Sequence, residues 1–127
     1  MREILFRGKR VDNGEWVQGS LFAEGTRFEI VRSTCNNVGI EGIDVIPETI
    51  GQYTGLTDKN GQKIFEGDIC QHRSYYSDNI VISVVTYTDG QFLVMVDENS
   101  GFNLSDKLEI IGNIHDNPEL LGGGSDA

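Results

Sequence analysis

The chain has 127 residues, 38% hydrophobic and 24% charged, with 10 Lys and Arg against 20 Asp and Glu for a formal charge of −10. That length suits one domain burying about two-thirds of the surface its unfolded form exposes, and no apolar run approaches the roughly 20 residues of a membrane helix. Residues 1–33 hold six bases against five acids and residues 34–127 hold four against fifteen, so the long acidic part disfavours DNA or RNA as a partner.

Met1-Arg2-Glu3 leads straight into patterned sequence, without the apolar region of a signal peptide, which predicts a cytoplasmic protein. Apolar alternation through 2–11 and 15–24 flanks Asn13-Gly14, a dipeptide that readily takes the positive φ angles of a type I′ hairpin turn. A two-residue turn there sets Phe6 opposite Leu21, Ile4 opposite Ala23 and Arg10 opposite Val17, giving one largely apolar side. The other side then carries Lys9 beside Gln18 and Arg7 beside Ser20, with Trp16 toward its end. Residues 28–32 are apolar and β-branched enough for a strand, whereas 33–42 has the Ser, Asn and Gly content of a loop, expected to be mobile. A further short strand ends at Ile46, because Pro47 lacks the N–H that a ladder needs.

Gly51, Gly55, Gly61 and Gly67 crowd the next segment too densely for a helix, at about 1 kcal/mol each relative to alanine, and predict turns and short strands. Asp58-Lys59-Asn60-Gly61 suits a four-residue loop in which Asp58 accepts local backbone hydrogen bonds and Gly61 supplies a left-handed position. Gly67-Asp68 introduces a strand over 69–72. Residues 80–88 and 91–96 are β-branched and aromatic, and Asp89-Gly90 between them predicts a second hairpin pairing Tyr87 with Phe92, Val85 with Val94 and Val84 with Met95. Both its faces are apolar, so it should be more buried than the first. Residues 109–114 read as a last strand. Asn117-Pro118-Glu119 reads as a helical start with Asn117 as N-cap, and Leu120 and Leu121 are placed to plug one end of a barrel. Residues 122–127 open on Gly122-Gly123-Gly124-Ser125 and read as a disordered tail.

This pattern predicts an all-β, β-dominated fold with one domain over 1–121. An N-terminal hairpin region (1–50) packs on a small, partly open SH3-like barrel (51–121), followed by a short C-terminal helical turn.

The residues assemble no complete catalytic constellation, so an enzyme is the less favoured reading, and no catalytic residue, metal or cofactor is assigned. Cys35 and Cys70 are the only cysteines, form no CxxC motif and stay thiols in a reducing compartment. Cys70 and His72 share a strand face as metal ligands could, yet only the distant Cys35 and His115 could join them; a core cysteine beside a surface histidine is the better reading. Asp58, Glu66 and Asp68 are the carboxylates that acid-base or metal chemistry would use, but each also has a structural task at a turn or a strand entrance. The Gly55 to Gly61 segment with Lys59 lacks the Gly-Lys-Ser/Thr ending and the following helix of a phosphate-binding loop. Trp16, Tyr53, Tyr75 and Tyr76 offer stacking surfaces, though aromatics in β domains more often serve packing. Arg7, Lys9 and Arg10 stand out as bases on one hairpin of an acidic chain. They form either a solvated edge that discourages aggregation or, with Trp16, an electrostatic contact to a protein partner or a second copy.

The run Ile46-Pro47-Glu48-Thr49-Ile50-Gly51-Gln52-Tyr53-Thr54-Gly55-Leu56, followed by Asp58-Lys59-Asn60-Gly61 and Phe65-Glu66-Gly67-Asp68-Ile69, resembles the YopX family of phage and prophage proteins. The ending Ile111-Gly112-Asn113-Ile114 with Asn117-Pro118-Glu119-Leu120-Leu121 is similar to the same family, as is the opening Phe6-Arg7-Gly8-Lys9-Arg10 with Asn13-Gly14-Glu15-Trp16-Val17. Cys70 and His115 stand where members commonly carry an aliphatic and an aromatic residue. The resemblance implies a β-rich fold and a phage or prophage origin, with no established biochemical activity. The leading expectation is a non-catalytic binding or regulatory protein. A nucleic-acid-mimicking acidic inhibitor and an enzyme using the carboxylates around 58–68 are the alternatives.

Overall fold

The computed structural model describes residues 3–34, 36, 38–74, 77–97 and 100–121. Cys35, Tyr75, Tyr76 and the expected tail from Gly122 lie outside the described residues. The chain divides into two compact units, Met1–Tyr53 and Thr54–Ala127, with the boundary inside a strand.

The first unit holds β1 (Phe6–Lys9), β2 (Trp16–Glu24), β3 (Arg27–Ser33) and β4 (Ile40–Asp44), a 3-10 turn at Pro47–Thr49, and the start of β5 (Gly51–Thr57). These strands lie antiparallel in the order β4-β3-β2-β1-β5. Period-two alternation along β2 turns Val17 and Leu21 to one face. There Val17, Ile30, Ile43 and Val45 form a buried cluster, with Phe6, Leu21, Phe28 and Ile50 packed against it. Gly19 shares that face, and the position holds a glycine because a Cβ there would collide with the Val31 carbonyl oxygen.

The first hairpin forms in a different register from the one a two-residue turn predicts. Phe6 pairs with Gly19, Arg7 with Gln18, Gly8 with Val17 and Lys9 with Trp16. The Arg10 N–H donates to the Glu15 carbonyl at 2.8 Å, which leaves Val11 to Gly14 as a four-residue loop. A slip of two residues preserves which side chains face inward, so the apolar side survives while every cross-strand partner changes. The expected loop over 33–42 is also shorter than its composition suggests. Ser33 pairs with Ile40, and Arg32 is opposite Glu41 with a 3.1 Å ion pair between them, which extends both strands toward the bend.

The second unit holds the end of β5, β6 (Lys63–Phe65) beside it, β7 (Asp68–Arg73), β8 (Ile80–Thr88), β9 (Gln91–Met95), β10 (Gly101–Asn103), β11 (Glu109–Asn113) and a 3-10 turn at Pro118–Leu121. Its antiparallel sheet runs β10-β9-β8-β7-β11. The hairpin at Asp89-Gly90 forms in the predicted register, Tyr87 with Phe92, Val85 with Val94 and Val84 with Met95. Ile64, Cys70, Val85, Val94 and Leu108 make its buried cluster, joined by Leu104 and Ile110.

The fold is all-β, as expected, and the described strands form two antiparallel sheets with no closed barrel, in keeping with the open arrangement expected. In the second sheet β10 and β11 lie at opposite edges. Asn117 takes the expected place before Pro118, the first residue of the final turn, and its carbonyl accepts from the Leu120 N–H at 3.0 Å, but its side chain does not cap that turn. Its Oδ1 accepts from the Asn113 N–H behind it at 3.2 Å, its own N–H donates to the Asn113 carbonyl at 2.8 Å, and the chain continues as one 3-10 turn. The Gly112-Asn113 and Asn117-Pro118 motifs thus clasp the end of β11, and Gly112 keeps room for the Asn117 side chain.

Candidate binding surfaces

On the first hairpin, alternation sends Arg7 and Lys9 to the face opposite the core, and the observed register places Trp16 directly across from Lys9. The Arg7 guanidinium lies 4.7 Å from the Trp16 ring centroid and the Lys9 ammonium 5.6 Å from it, within the range where a cation is attracted by the ring's quadrupole. Trp16 is half-buried, so the indole and the two cations form one platform rather than three separate exposed groups. Arg10 has the opposite strand parity. Its Nε and Nη2 each donate to an Asp12 carboxylate oxygen at 2.9 Å. That hydrogen bond, ahead of the charge attraction, holds the Asp12 carboxyl below its ordinary range. The structure therefore joins Arg7, Lys9 and Trp16 and directs Arg10 elsewhere.

In the middle segment, Asp58 is buried at 3% exposure, and Gly61 is left-handed at φ 84°. Asp58 Oδ1 accepts from the Asn60 and Gln62 N–H groups at 2.9 Å each, the local bonds that the loop requires. Its second oxygen, Oδ2, accepts from the Ile110 N–H at 3.0 Å and so ties the loop to β11. Burial alone would raise this carboxyl's pKa. The three backbone donors from Ile110, Gln62 and Asn60, helped by the Lys59 charge, outweigh it and hold the pKa below the usual carboxylate range. Asp68, 2% exposed, accepts from the Phe65 N–H at 2.8 Å across left-handed Gly67. Glu66 is half-buried. Gly51, Tyr53 and Thr54 are buried, with the Thr54 hydroxyl donating to the Ile64 carbonyl at 2.9 Å, while Gln52 and Gly55 are half-buried and Leu56 is exposed. Most of the family-like segment thus builds β5, its loop and the entrance to β7.

Cys70 is fully buried in the core of the second unit. Burial, with the Asp68 and Asp58 charges adding to it, pushes its thiol up to about 12, which leaves it protonated and a poor nucleophile or metal ligand. His72, half-buried two residues on, meets the Phe102 ring edge-to-face at 6.0 Å. No group of three His, Cys, Asp or Glu among the described residues is arranged to hold a metal.

Two concavities in the second unit combine residues from separate sequence motifs and strands. A hollow of about 590 Å³ is walled by Ile82, Val84 and Met95 from the sheet and by Leu120 and Leu121 from the final turn, the two leucines expected to plug a barrel. A cleft of about 230 Å³ lies where Gln71 and Arg73 of β7 approach Lys59, Lys107 and Glu109. Lys59 belongs to the Asp58-Lys59-Asn60-Gly61 motif, but no motif joins it to Arg73 and Lys107, because the three come from separate segments.

The sequence matches the family described as YopX protein over residues 5–122. A solved structure, the crystal structure of protein EF1440 from Enterococcus faecalis, is similar, with 27% identity and a TM-score of 0.63 across 95% of this chain and 99% of that one. No curated protein matches the sequence.

Proposed function

The chain belongs to the YopX family, and we propose that it is a non-catalytic binding protein serving a phage or prophage, engaging a protein partner through the Arg7, Lys9 and Trp16 face. The observation carrying this reading is the platform itself: two cations over one indole on the outward face of a hairpin, in a chain of net charge −10. Trp and Arg are the residue types that most often anchor protein interfaces, and a basic patch on an acidic protein steers a complementary acidic surface into register.

The alternatives draw less support. Mimicry of nucleic acid needs carboxylates spaced like phosphates, yet Glu29 and Asp44 both pair with Arg27, Glu41 pairs with Arg32, and Asp58 and Asp68 are buried. An enzyme using Asp58 or Asp68 would need a carboxyl within reach of a substrate, and both are buried with oxygens that accept backbone N–H groups.

The test compares immobilised wild-type protein with an Arg7→Ala, Lys9→Ala double variant in lysate of the bacterial host, read by mass spectrometry. A protein enriched by the wild type and lost from the variant is expected, with the variant's unfolding free energy within about 1 kcal/mol of wild type. Equal enrichment by both, or none by either, overturns the reading.

A further inference from the structure

We propose that the second unit carries a binding site for a small phosphate-type oxyanion, formed by Lys59, Arg73 and Lys107. Residues 54–127 contain four bases against twelve acids, and three of those four bases line one cleft of about 230 Å³. Glu109 and Asp78 each face one of the three and Lys107 makes no ion pair among the described residues, so the cleft keeps an excess of positive charge in an otherwise acidic unit. An anionic ligand would balance it.

The backbone under the three side chains is held by specific bonds. The Lys59 N–H donates to the Leu108 carbonyl at 2.9 Å, so the two lysine-bearing loops are joined next to Lys107. Leu108 is buried at 2% exposure and anchors the Lys107 loop in the core. Asp58, beside Lys59, holds the Ile110 N–H of β11. Glu109 of β11 pairs with Gln71 of β7, and Arg73 lies two residues further along that strand on the same face. The site is thus a cluster of side chains on a fixed frame, unlike a glycine-rich loop that cradles phosphate with its own amides.

The charges in the cleft leave it cationic. Glu109 is matched within it, its Oε1 accepting from the Gln71 amide at 3.0 Å and facing the Lys59 ammonium at 3.5 Å. Arg73 meets Asp78 at 3.3 Å, but both side chains are exposed, at 69% and 95%, so a ligand can displace that contact easily. Lys107 makes no ion pair among the described residues. Two lysine point charges and an arginine fork suit a phosphate group, which the guanidinium can hold through two parallel N–H bonds. The cleft is smaller than the roughly 300–1,000 Å³ of sites for drug-sized ligands, which selects a compact ligand.

The test is NMR titration of the isotopically labelled full-length chain with inorganic phosphate and, separately, with glycerol 3-phosphate, at fixed ionic strength. Saturable shifts at the Lys59, Arg73 and Lys107 amides are expected. Lys59→Gln and Lys107→Gln should each weaken binding about tenfold, as loss of one charge-assisted contact implies, while Lys63→Gln, outside the cleft, leaves it unchanged. Tighter binding of the ester identifies a phosphate monoester as the ligand, and equal binding identifies the inorganic ion; both sustain the site. Absence of saturable shifts at these amides, equal weakening by Lys63→Gln, or stronger binding of succinate than of either phosphate overturns it.

Discussion

At the tip of β8 and β9, Asp89 and Gly90 alone span the turn, with φ of 51° and 80°. At the tip of β1 and β2 four residues do so, and of these only Gly14 is left-handed, at 75°. The difference lies in what else holds the strand ends. The Lys9 N–H donates to the Thr49 hydroxyl at 2.9 Å, the Ile46 N–H to the Lys9 carbonyl at 2.8 Å and the Val11 N–H to the Asp44 carbonyl at 3.0 Å. These bonds keep Lys9 to Val11 running along residues 44–49 past the point where a two-residue turn would reverse the chain. A dipeptide that tolerates positive φ nominates the place of a turn; bonds to other strands set its length.

The Asp58 loop carries this comparison to its limit, since one side chain there makes both the local and the distant bonds. Asp58→Ala leaves three backbone N–H groups without their acceptor and is expected to lower the unfolding free energy by about 2–4 kcal/mol, read by urea denaturation. A loss no larger than a surface substitution would show that distant bonds do not govern the turn. The same residue sets a pH dependence. Its folded pKa lies below the unfolded value of about 3.9, so its stabilisation is present in full above that pH and is lost as pH falls through the folded pKa. Asp58→Asn should therefore flatten the acid limb of the stability profile below about pH 4; an unchanged limb would assign acid sensitivity to other carboxylates.

A smaller effect separates the two glycines. Gly90→Ala forces a Cβ into the left-handed region within a turn whose one other residue, Asp89, is already left-handed, and should cost about 1–2 kcal/mol. Gly14→Ala meets the same angular penalty in a four-residue loop that can redistribute it, and should cost less. Melting curves of the two variants check this, and equal losses would mean that loop length does not buffer the strain.

What was legible in the sequence follows the range of the bonds involved. The β8–β9 hairpin was readable because its register depends on Asp89, Gly90 and alternation alone. Asp58's bonds to Asn60 and Gln62 were readable for the same reason, whereas its bond to Ile110 joins residues 52 apart and leaves no local trace. The start of the final turn at Asn117-Pro118 was readable, whereas the use of the Asn117 side chain to accept from the Asn113 N–H behind it was not. The first hairpin's basic face was visible from alternation, but its focus on Trp16 came from the two-residue slip in register. The cleft could not be read at all, since Lys59, Arg73 and Lys107 share no spacing that a strand or turn imposes.

The smallest effect is expected at the first turn. Arg10 and Asp12 form a two-point ion pair there, which looks as though it could set the loop, but the Asp12 carboxylate is 65% exposed and the chain makes its own closing bonds. The Gly14 N–H donates to the Arg10 carbonyl at 3.0 Å and the Glu15 N–H to Asn13 Oδ1 at 2.9 Å, and neither involves the Asp12 side chain. Asp12→Ala should therefore leave the urea midpoint unchanged, because water replaces an exposed carboxylate at little net loss. The amide shifts of Lys9 and Trp16 should stay in place, since their pairing depends on the main chain. If Asp12→Ala instead moves those shifts, or destabilises the protein as much as Gly90→Ala, then the ion pair rather than the bonds to residues 44–49 holds the longer loop open, and the two hairpins differ for a local reason after all.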